Sequence, residues 1–439
     1  MEKPQHTQAQ LRESNLALVL SQLRIRSPLS RAQLAKQTHL NKSTISNLTG
    51  ELLALGLLHE VGLDTSGGGR PARLLAINPH AGHVVACELG VDFLLTIVTD
   101  FGGSILWRTR LATEPTHAQD VILAQLLASV REAIAFSRQS QQRLLGIGVT
   151  LPGMVDVEDG VLLFSPNLQW HNVPLRQMLE EQLNLPVYVE NDANAAALGE
   201  HFFGGAGRVR DFIFILVDVG LGGGLFLNGD LYRGTRGLAG EIGHMELGRY
   251  SDRPCRCGKR GCWEMEVNKT SIVNRVRTLL DVRRSSSIPA MMAERDCPLT
   301  LALILEAAAA GDGVALEALT ETGRVLGLGI SNLINTFNPE LIVLGGVLSQ
   351  VGEYMLPAIR ETLAQKALLA AHEQTEVALS VFGTDAIVIG AATLVVKAVL
   401  SNPKSVEYLP HAVSLASLAF SQEGGDRSAD SNAVLLTRY

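Results

Sequence analysis

From about residue 82 onward, short apolar runs alternate with segments of helical period, and the alternation runs through twice. HVVACELGVDFLLTIVTD and GGSILWRTRLA read as a strand pair with glycine turns. Residues 118–138 read as a long amphipathic helix, and LLGIGVTLPGMVD as a buried strand running into a loop. A helix at 174–184, the strand VYVEN, a helix at 192–203 and the strand FIFILVDVG follow. After a cysteine-rich stretch the chain is mostly helical to Asn338, and the buried strand LIVLGG ends the pattern. This rhythm predicts two α/β lobes around a cleft, with ligands held near the carboxyl ends of the strands.

Those lobes leave room for more, because 439 residues exceed one ordinary domain. Residues 1–73 carry nine Lys/Arg against five Asp/Glu, whereas the rest carries 28 against 39. A basic unit on an acidic body suits a DNA-reading head, since phosphate neutralisation supplies most non-specific affinity. In residues 14–24, Leu16, Val19, Leu20 and Leu23 fall at helical spacing. After Ser27-Pro28-Leu29, Ser30 is placed to cap a short helix, RAQLAKQ, and Asn41 a third, KSTISNLTGELLALG, ending at Gly56. Ile45, Leu48, Leu52 and Leu55 share one face of that third helix. Lys42, Ser43, Thr44, Ser46 and Asn47 face the other way, where short polar side chains enter a major groove; Arg31 is a further DNA candidate. Two apolar runs, 57–61 and 74–77, flank Gly67-Gly68-Gly69-Arg70-Pro71 and read as a β-hairpin wing. Its tip either lays Arg70 in a minor groove or is a plain linker.

Three of five cysteines crowd into eight positions, as Cys255-x-Cys257-x₄-Cys262, with Gly258 and Gly261 supplying the turns. Three thiolates from one tight loop predict a metal site, and His244, eleven residues upstream, is the candidate fourth ligand. Cys87 and Cys297 stand alone and read as core cysteines. The apolar stretches are short and broken by Gly, Asp or Lys, which predicts no transmembrane helix. The polar N-terminus MEKPQHTQAQ predicts no signal peptide, so a cytoplasmic protein is expected.

LPGMVD (151–156), SPNLQWHNVPL (165–175), VENDANAAALGE (189–200), GLAGEIGHMELG (237–248), CRCGKRGCWE (255–264) and LIVLGG (341–346) together resemble the ROK family of repressors, open reading frames and sugar kinases. With the N-terminal head, the resemblance spans residues 12 to about 398 and is similar to the xylose-repressor type. It implies a winged helix-turn-helix over 1–80 and an actin-like ATPase fold of two lobes over 81–400, with a zinc-binding loop at 244–264. Residues 401–439 lie beyond the pattern, and their polar, Gly/Ser/Asp-rich end is expected to be disordered. The resemblance also implies that the zinc is structural, since four protein ligands leave no open position.

A polyol needs carboxylates for its hydroxyl donors and amides for its acceptors. Asn191, Asp192, Glu241 and Glu264 supply these, and they match the family's sugar contacts. His244 can bind zinc with one ring nitrogen and a hydroxyl with the other. Gly153 lets a backbone amide approach, and Asn167 is a further candidate. Asp192 matches the base of ROK kinases. The phosphate loops depart from theirs: Asp-x-Gly-Gly-Thr is Glu88-Leu89-Gly90-Val91-Asp92 here, although Asp100 is retained, and Gly-Thr-Gly-x-Gly-Gly-Gly begins Asp218-Val219-Gly220. Each loop has lost a hydroxyl donor and gained a carboxylate, which opposes a polyphosphate. The expectation is therefore a non-catalytic, sugar-responsive repressor of carbohydrate-utilisation genes, xylose metabolism among them. It would act on operator DNA as a homodimer or dimer of dimers. The alternatives are an active ATP-dependent sugar kinase with a DNA-binding head, and a regulator answering to a partner protein.

Overall fold

A computed structural model of the chain describes residues 7–64, 72–113, 118–247, 252–282 and 284–409. Residues 65–71, with the expected wing tip and Arg70, and the tail from 410 lie outside the described residues.

The N-terminal segment forms helices α1 (Gln8–Arg26), α2 (Arg31–Thr38) and α3 (Lys42–Ala54), then strands β1 (Leu58–Asp64) and β2 (Ala72–Ile77). Ser30 caps α2 reciprocally: its hydroxyl accepts from the Gln33 amide at 3.3 Å, and its own amide donates to Gln33 Oε1 at 2.7 Å. Asn41 Oδ1 accepts from the Thr44 amide at 2.7 Å and starts α3. Leu16, Val19, Leu20 and Leu23 of α1 close on Ile45, Leu48 and Leu52 of α3, all buried, while Leu55 is half-buried. β1 and β2 pair antiparallel, and the short strand Leu29–Ser30 adds to the other edge of β2. Three helices with such a hairpin are the winged helix-turn-helix arrangement.

The first lobe is built on β3 (His83–Leu89), β4 (Phe93–Asp100), β5 (Ile105–Ala112), β6 (Leu144–Leu151) and β7 (Val187–Asn191), with helices α4 (Gln119–Gln139), α5 (Leu175–Leu183) and α6 (Asp192–Phe203). The expected strand pair is three strands, because Gly90-Val91-Asp92 turns the chain between β3 and β4. The sheet order is β7-β6-β3-β4-β5, with β7, β6 and β3 parallel. The second lobe carries β8 (Phe212–Val217), β9 (Leu221–Leu227), β10 (Leu341–Gly346) and β11 (Glu376–Leu379), with α7 (Lys269–Asp281), α8 (Gly313–Phe337) and α9 (Leu348–Lys366). Its order is Asp230–Leu231, β9, β8, β10, β11, again a hairpin on one side and parallel strands on the other. Numbered within each lobe, both sheets read 3-2-1-4-5. That duplication is the actin-like ATPase fold.

The last helix, α10 (Ala386–Ser401), returns to the first lobe and packs on α6, β3 and β6. A Cβ on Gly390 would collide with the Ala195 carbonyl, so glycine and alanine let α6 and α10 touch backbone to backbone. One helix among the described residues has the length and composition of a membrane span. Gly383–Ser401 is 19 residues with mean hydropathy 1.7, long and apolar enough by composition. Its faces are instead occupied: Val388, Ile389, Val395, Val396 and Val399 pack into the core with Val84, Ala86, Ile97 and Leu145. One expectation fails here. Cys87 is buried in the core, but Cys297 is only half-buried, beyond the end of the helix Ile288–Arg295.

Candidate functional site

The carboxyl ends of β3, β6, β7 and β8 converge on one cleft of about 290 Å³ between the lobes. Gly153, Asn167, Asn191, Asp192, Glu241, His244 and Glu264 all line it. A wider groove of about 670 Å³ lies between α4 and α5, but it contains none of these residues.

Each polar group has a local cause. Asn191 ends β7 and caps α6: its Oδ1 accepts from the amides of Ala193 and Asn194, and its Nδ2 donates to the Gly153 carbonyl at 3.0 Å. One amide hydrogen is thus left for a ligand, so Asn191 is first a positioning residue. Asp192 opens α6, and burial in the cleft pushes its carboxyl up to about 7. Gly153 holds φ 142°, and a Cβ there would strike the Phe164 carbonyl of the strand Val161–Ser165, 2.6 Å away. Asn167 Oδ1 accepts from Arg256 Nη1 at 2.9 Å.

Sequence reasoning missed the support beneath them. Glu190 is 2% exposed; its Oε2 accepts from Arg233 Nε at 3.0 Å and Nη2 at 2.7 Å. Its Oε1 accepts from the Asn191 amide at 3.1 Å and Asn194 Nδ2 at 3.2 Å. The only cue was a Glu beside Asn191-Asp192, since its partner is 43 positions away.

The cysteine loop is closed by the Gly258 amide on the Cys255 carbonyl and the Cys255 amide on the Lys259 carbonyl, with Gly258 at φ 87° and Gly261 at φ 78°. An antiparallel bridge between Glu246 and Cys262 then lays His244 against it. One donor atom from each of His244, Cys255, Cys257 and Cys262 falls within 4.8 Å of all the others. Cys257 Sγ and Cys262 Sγ are 3.7 Å apart, as are Cys255 Sγ and His244 Nδ1. A regular tetrahedron with metal–sulfur bonds of about 2.3 Å has edges of about 3.8 Å, so the residues fit a four-coordinate ion. Burial, then the nearby Glu264, pushes the Cys255 thiol up, and it donates to Glu264 Oε1 at 2.7 Å. A bound dication acts in the opposite sense. The other ring nitrogen of His244, Nε2, is 3.7 Å from Glu241 Oε2 at the cleft mouth. Glu264 Oε2 also accepts from the Leu221 amide at 3.4 Å, so this carboxylate joins the metal cluster to the start of β9.

On the other side of the cleft stand the two acid-bearing turns. Glu88 is 6% exposed, and its Oε2 has no hydrogen-bond partner among the described residues. Burial, then Asp192, pushes its carboxyl up to about 8. Burial likewise raises Asp218. The Asp218 and Val219 carbonyls accept from the Lys269 amide and Asn268 Nδ2, which pins that turn to the start of α7. The expected loop is shorter than the motif: Gly222, Gly223 and Gly224 are strand residues of β9, where a Cβ at Gly224 would meet the Ala193 carbonyl at 2.6 Å.

On the head, Lys42, Ser43, Ser46 and Asn47 are exposed on α3, and Thr44 is half-buried. Arg31 is half-buried and donates to Thr49 Oγ1 at 3.0 Å, which ties α2 to α3.

Comparison with known proteins agrees with this geometry. The ROK family is matched over residues 84–398. The xylose repressor of Caldicellulosiruptor bescii is 34% identical over 394 residues, 90% of this chain and 98% of that protein. A solved ROK family transcriptional regulator, described as a homologue of the E. coli MLC protein, superposes with a TM-score of 0.78 at 30% identity, covering 90% of this chain and 99% of the other. A ROK family glucokinase from Streptomyces griseus, solved with glucose and AMPPNP, gives a TM-score of 0.65 at 31% identity, covering 71% of this chain and 99% of its own.

Proposed function

The chain belongs to the ROK family, and on that premise we propose that it is a sugar-responsive transcriptional repressor of carbohydrate-utilisation genes, with D-xylose the first sugar to test. The observation that carries the reading is a winged helix-turn-helix joined to a cleft lined by Asn191, Asp192, Glu241 and Glu264, with Asp218 on its wall, its carboxyl raised by burial and by the nearby Asp92. The body takes a monosaccharide: Asp192, Glu241 and Glu264 accept its hydroxyls, while Asn167, the free amide hydrogen of Asn191, His244 Nε2 and the Gly153 turn complete the cradle. Zinc is the metal that best suits three thiolates and one imidazole in a tetrahedron. When bound it is structural and locks the Glu241–His244 turn to the Cys255–Cys262 loop. Lys42, Ser43, Thr44, Ser46 and Asn47 enter the major groove, with Arg31 bracing α3 and Arg70 reaching the minor groove. The domain limits follow as 1–80 for the head, 81–400 for the cleft and 401–439 for an added tail. The protein works in the cytoplasm as a homodimer, or dimer of dimers, on an inverted repeat.

Kinase activity has one feature in its favour: burial pushes the Asp192 carboxyl up to about 7, the range that suits a general base. Against it stand Val91, Asp92, Asp218 and Val219, where a polyphosphate needs small residues and donors. The test is fluorescence anisotropy on an operator selected from a random-sequence DNA library by the full chain, with and without D-xylose, across a salt series. Binding should weaken steeply with salt, change with the sugar, and vanish when residues 1–80 are removed. A headless protein that still binds the operator, or an operator affinity blind to D-xylose and D-glucose, would refute the reading.

A further inference from the structure

α6 has two ends that serve different parts of the molecule. Its first residue is Asp192, in the cleft, and the helix from Ala193 to His201 is buried throughout. Twelve residues at about 1.5 Å each make a rod of about 18 Å. Its contact with α10 is backbone to backbone at Gly199 and Gly390, so no side chain lies between the two helices at that crossing. At the far end it meets the head. Arg24, in the last turn of α1, sets Nη2 at 3.0 Å from His201 Nε2 and donates from Nη1 to the His201 carbonyl at 3.3 Å. The guanidinium also lies 4.4 Å from the centre of the Phe202 ring. Arginine can only donate, so Nε2 must accept, and the imidazole is neutral with its proton on Nδ1. The ring is held flat by Phe226, with centroids 4.2 Å apart.

Elsewhere α1 packs on α10 and on Pro403–Tyr408, its buried leucines sharing one core with Val399, Val406 and Leu409. A cavity of about 430 Å³ opens along the seam, with Ser14, Ala17, Leu18 and Ser21 of α1 on one wall and Leu198 and Lys397 on the other. Among the described residues, two further polar contacts join head and body, Lys404 Nζ to Glu51 at 3.6 Å and Arg143 Nη1 to the Leu55 carbonyl at 3.4 Å. Arg24 makes the hydrogen bonds between α1 and α6 among the described residues.

We infer that the Arg24–His201 contact is the link through which the sugar cleft moves the DNA-reading head: a shift of α6 at Asp192 is delivered to α1 at Arg24. The inference rests on the sugar-responsive reading for its physiological meaning, and its test separates the two. Amide hydrogen exchange over residues 8–26 is measured on the full chain without ligand, in wild type and in Asp192→Asn, each with and without Arg24→Ala. The expected result is an exchange change in α1 caused by Asp192→Asn that disappears in the Arg24→Ala background. No change in α1, or the same change without Arg24, overturns the link.

In a second arm, operator affinity is measured with and without D-xylose for wild type, His201→Phe and His201→Gln. Phenylalanine keeps the stack on Phe226 and removes the acceptor, whereas glutamine keeps an acceptor. His201→Phe should bring the sugar response from about fivefold or more to within about twofold of none, with the calorimetric D-xylose affinity little changed, and His201→Gln should restore it. A full response in His201→Phe overturns the link. If wild type ignores D-xylose and D-glucose, the sugar reading falls, and the ligand-free exchange experiment still decides whether α6 and α1 are coupled.

Discussion

Glu190→Gln changes one atom beneath the cleft and should be among the costlier conservative substitutions in the chain. The carboxylate receives four hydrogen bonds, two on each oxygen, at 2.7 to 3.2 Å. Glutamine has one acceptor oxygen, so either Arg233 or the pair Asn191 and Asn194 must face an NH₂ group. Two bonds are lost in either orientation, and donors are set against donors around a side chain that is 2% exposed, although Arg233, at 26%, keeps some access to water. Each orphaned buried group costs about 1–3 kcal/mol, and breaking a buried ion pair from one side costs about 3–5 kcal/mol. The expected destabilisation is therefore about 3–5 kcal/mol, read by urea unfolding with unchanged m-value. D-xylose affinity should fall with it, because the Asn191 amide that Glu190 holds begins α6. Glu190→Leu combined with Arg233→Met should recover part of the stability, since no charge is then left unpaired. A Glu190→Gln protein within about 0.5 kcal/mol of wild type would refute the reasoning.

Elemental analysis of freshly purified protein should find one zinc per chain, and Cys257→Ser should lose both the metal and a large part of the stability; protein without zinc would sink the assignment. A coupled ATPase assay should detect no sugar phosphorylation, and Asp192→Asn should shift the sugar concentration of the DNA response; wild-type turnover near ~1 per second would restore the kinase reading. Burial, then Arg24, lowers His201 to about 4 from an unfolded value of about 6.5. Between those values only the unfolded chain binds the proton, so stability is full above about pH 6.5 and falls by about 3 kcal/mol as pH drops to about 4. His201→Phe should flatten that part of the pH–stability curve, and an unchanged slope would count against it.

What could be read from the residues was whatever short-range chemistry dictates. Leu16, Val19, Leu20 and Leu23 mark a buried stripe by spacing alone, and Ser30 and Asn41 cap helices through bonds three residues long. The four metal-site residues come together because the loop is short and its glycines can turn. Long-range pairings were not legible: Glu190 with Arg233 and Arg24 with His201 join residues 43 and 177 positions apart. Gly222, Gly223 and Gly224 read as loop because glycine has poor strand propensity, yet β9 needs them where its backbone nears α6 and the Gly240 turn. Asn191 looked like a ligand group when most of its bonding is spent capping α6, since the same amide serves either purpose.

The return of α10 to the first lobe has a consequence for how the chain is made on the ribosome. Val84, Ala86, Ile97 and Leu145 are covered by valines and isoleucines that lie between residues 388 and 399. At about 5–20 residues per second, roughly 15–60 s pass between the emergence of β4 and that of its cover. Through that interval the nascent lobe presents an open apolar sheet, while the second lobe, with its own core, can close independently. A chain ending before residue 386 should therefore be bound by chaperones or aggregate, although every residue of the head and nearly all of the cleft would be present. The last helix sets the moment at which the earliest sheet becomes a finished lobe.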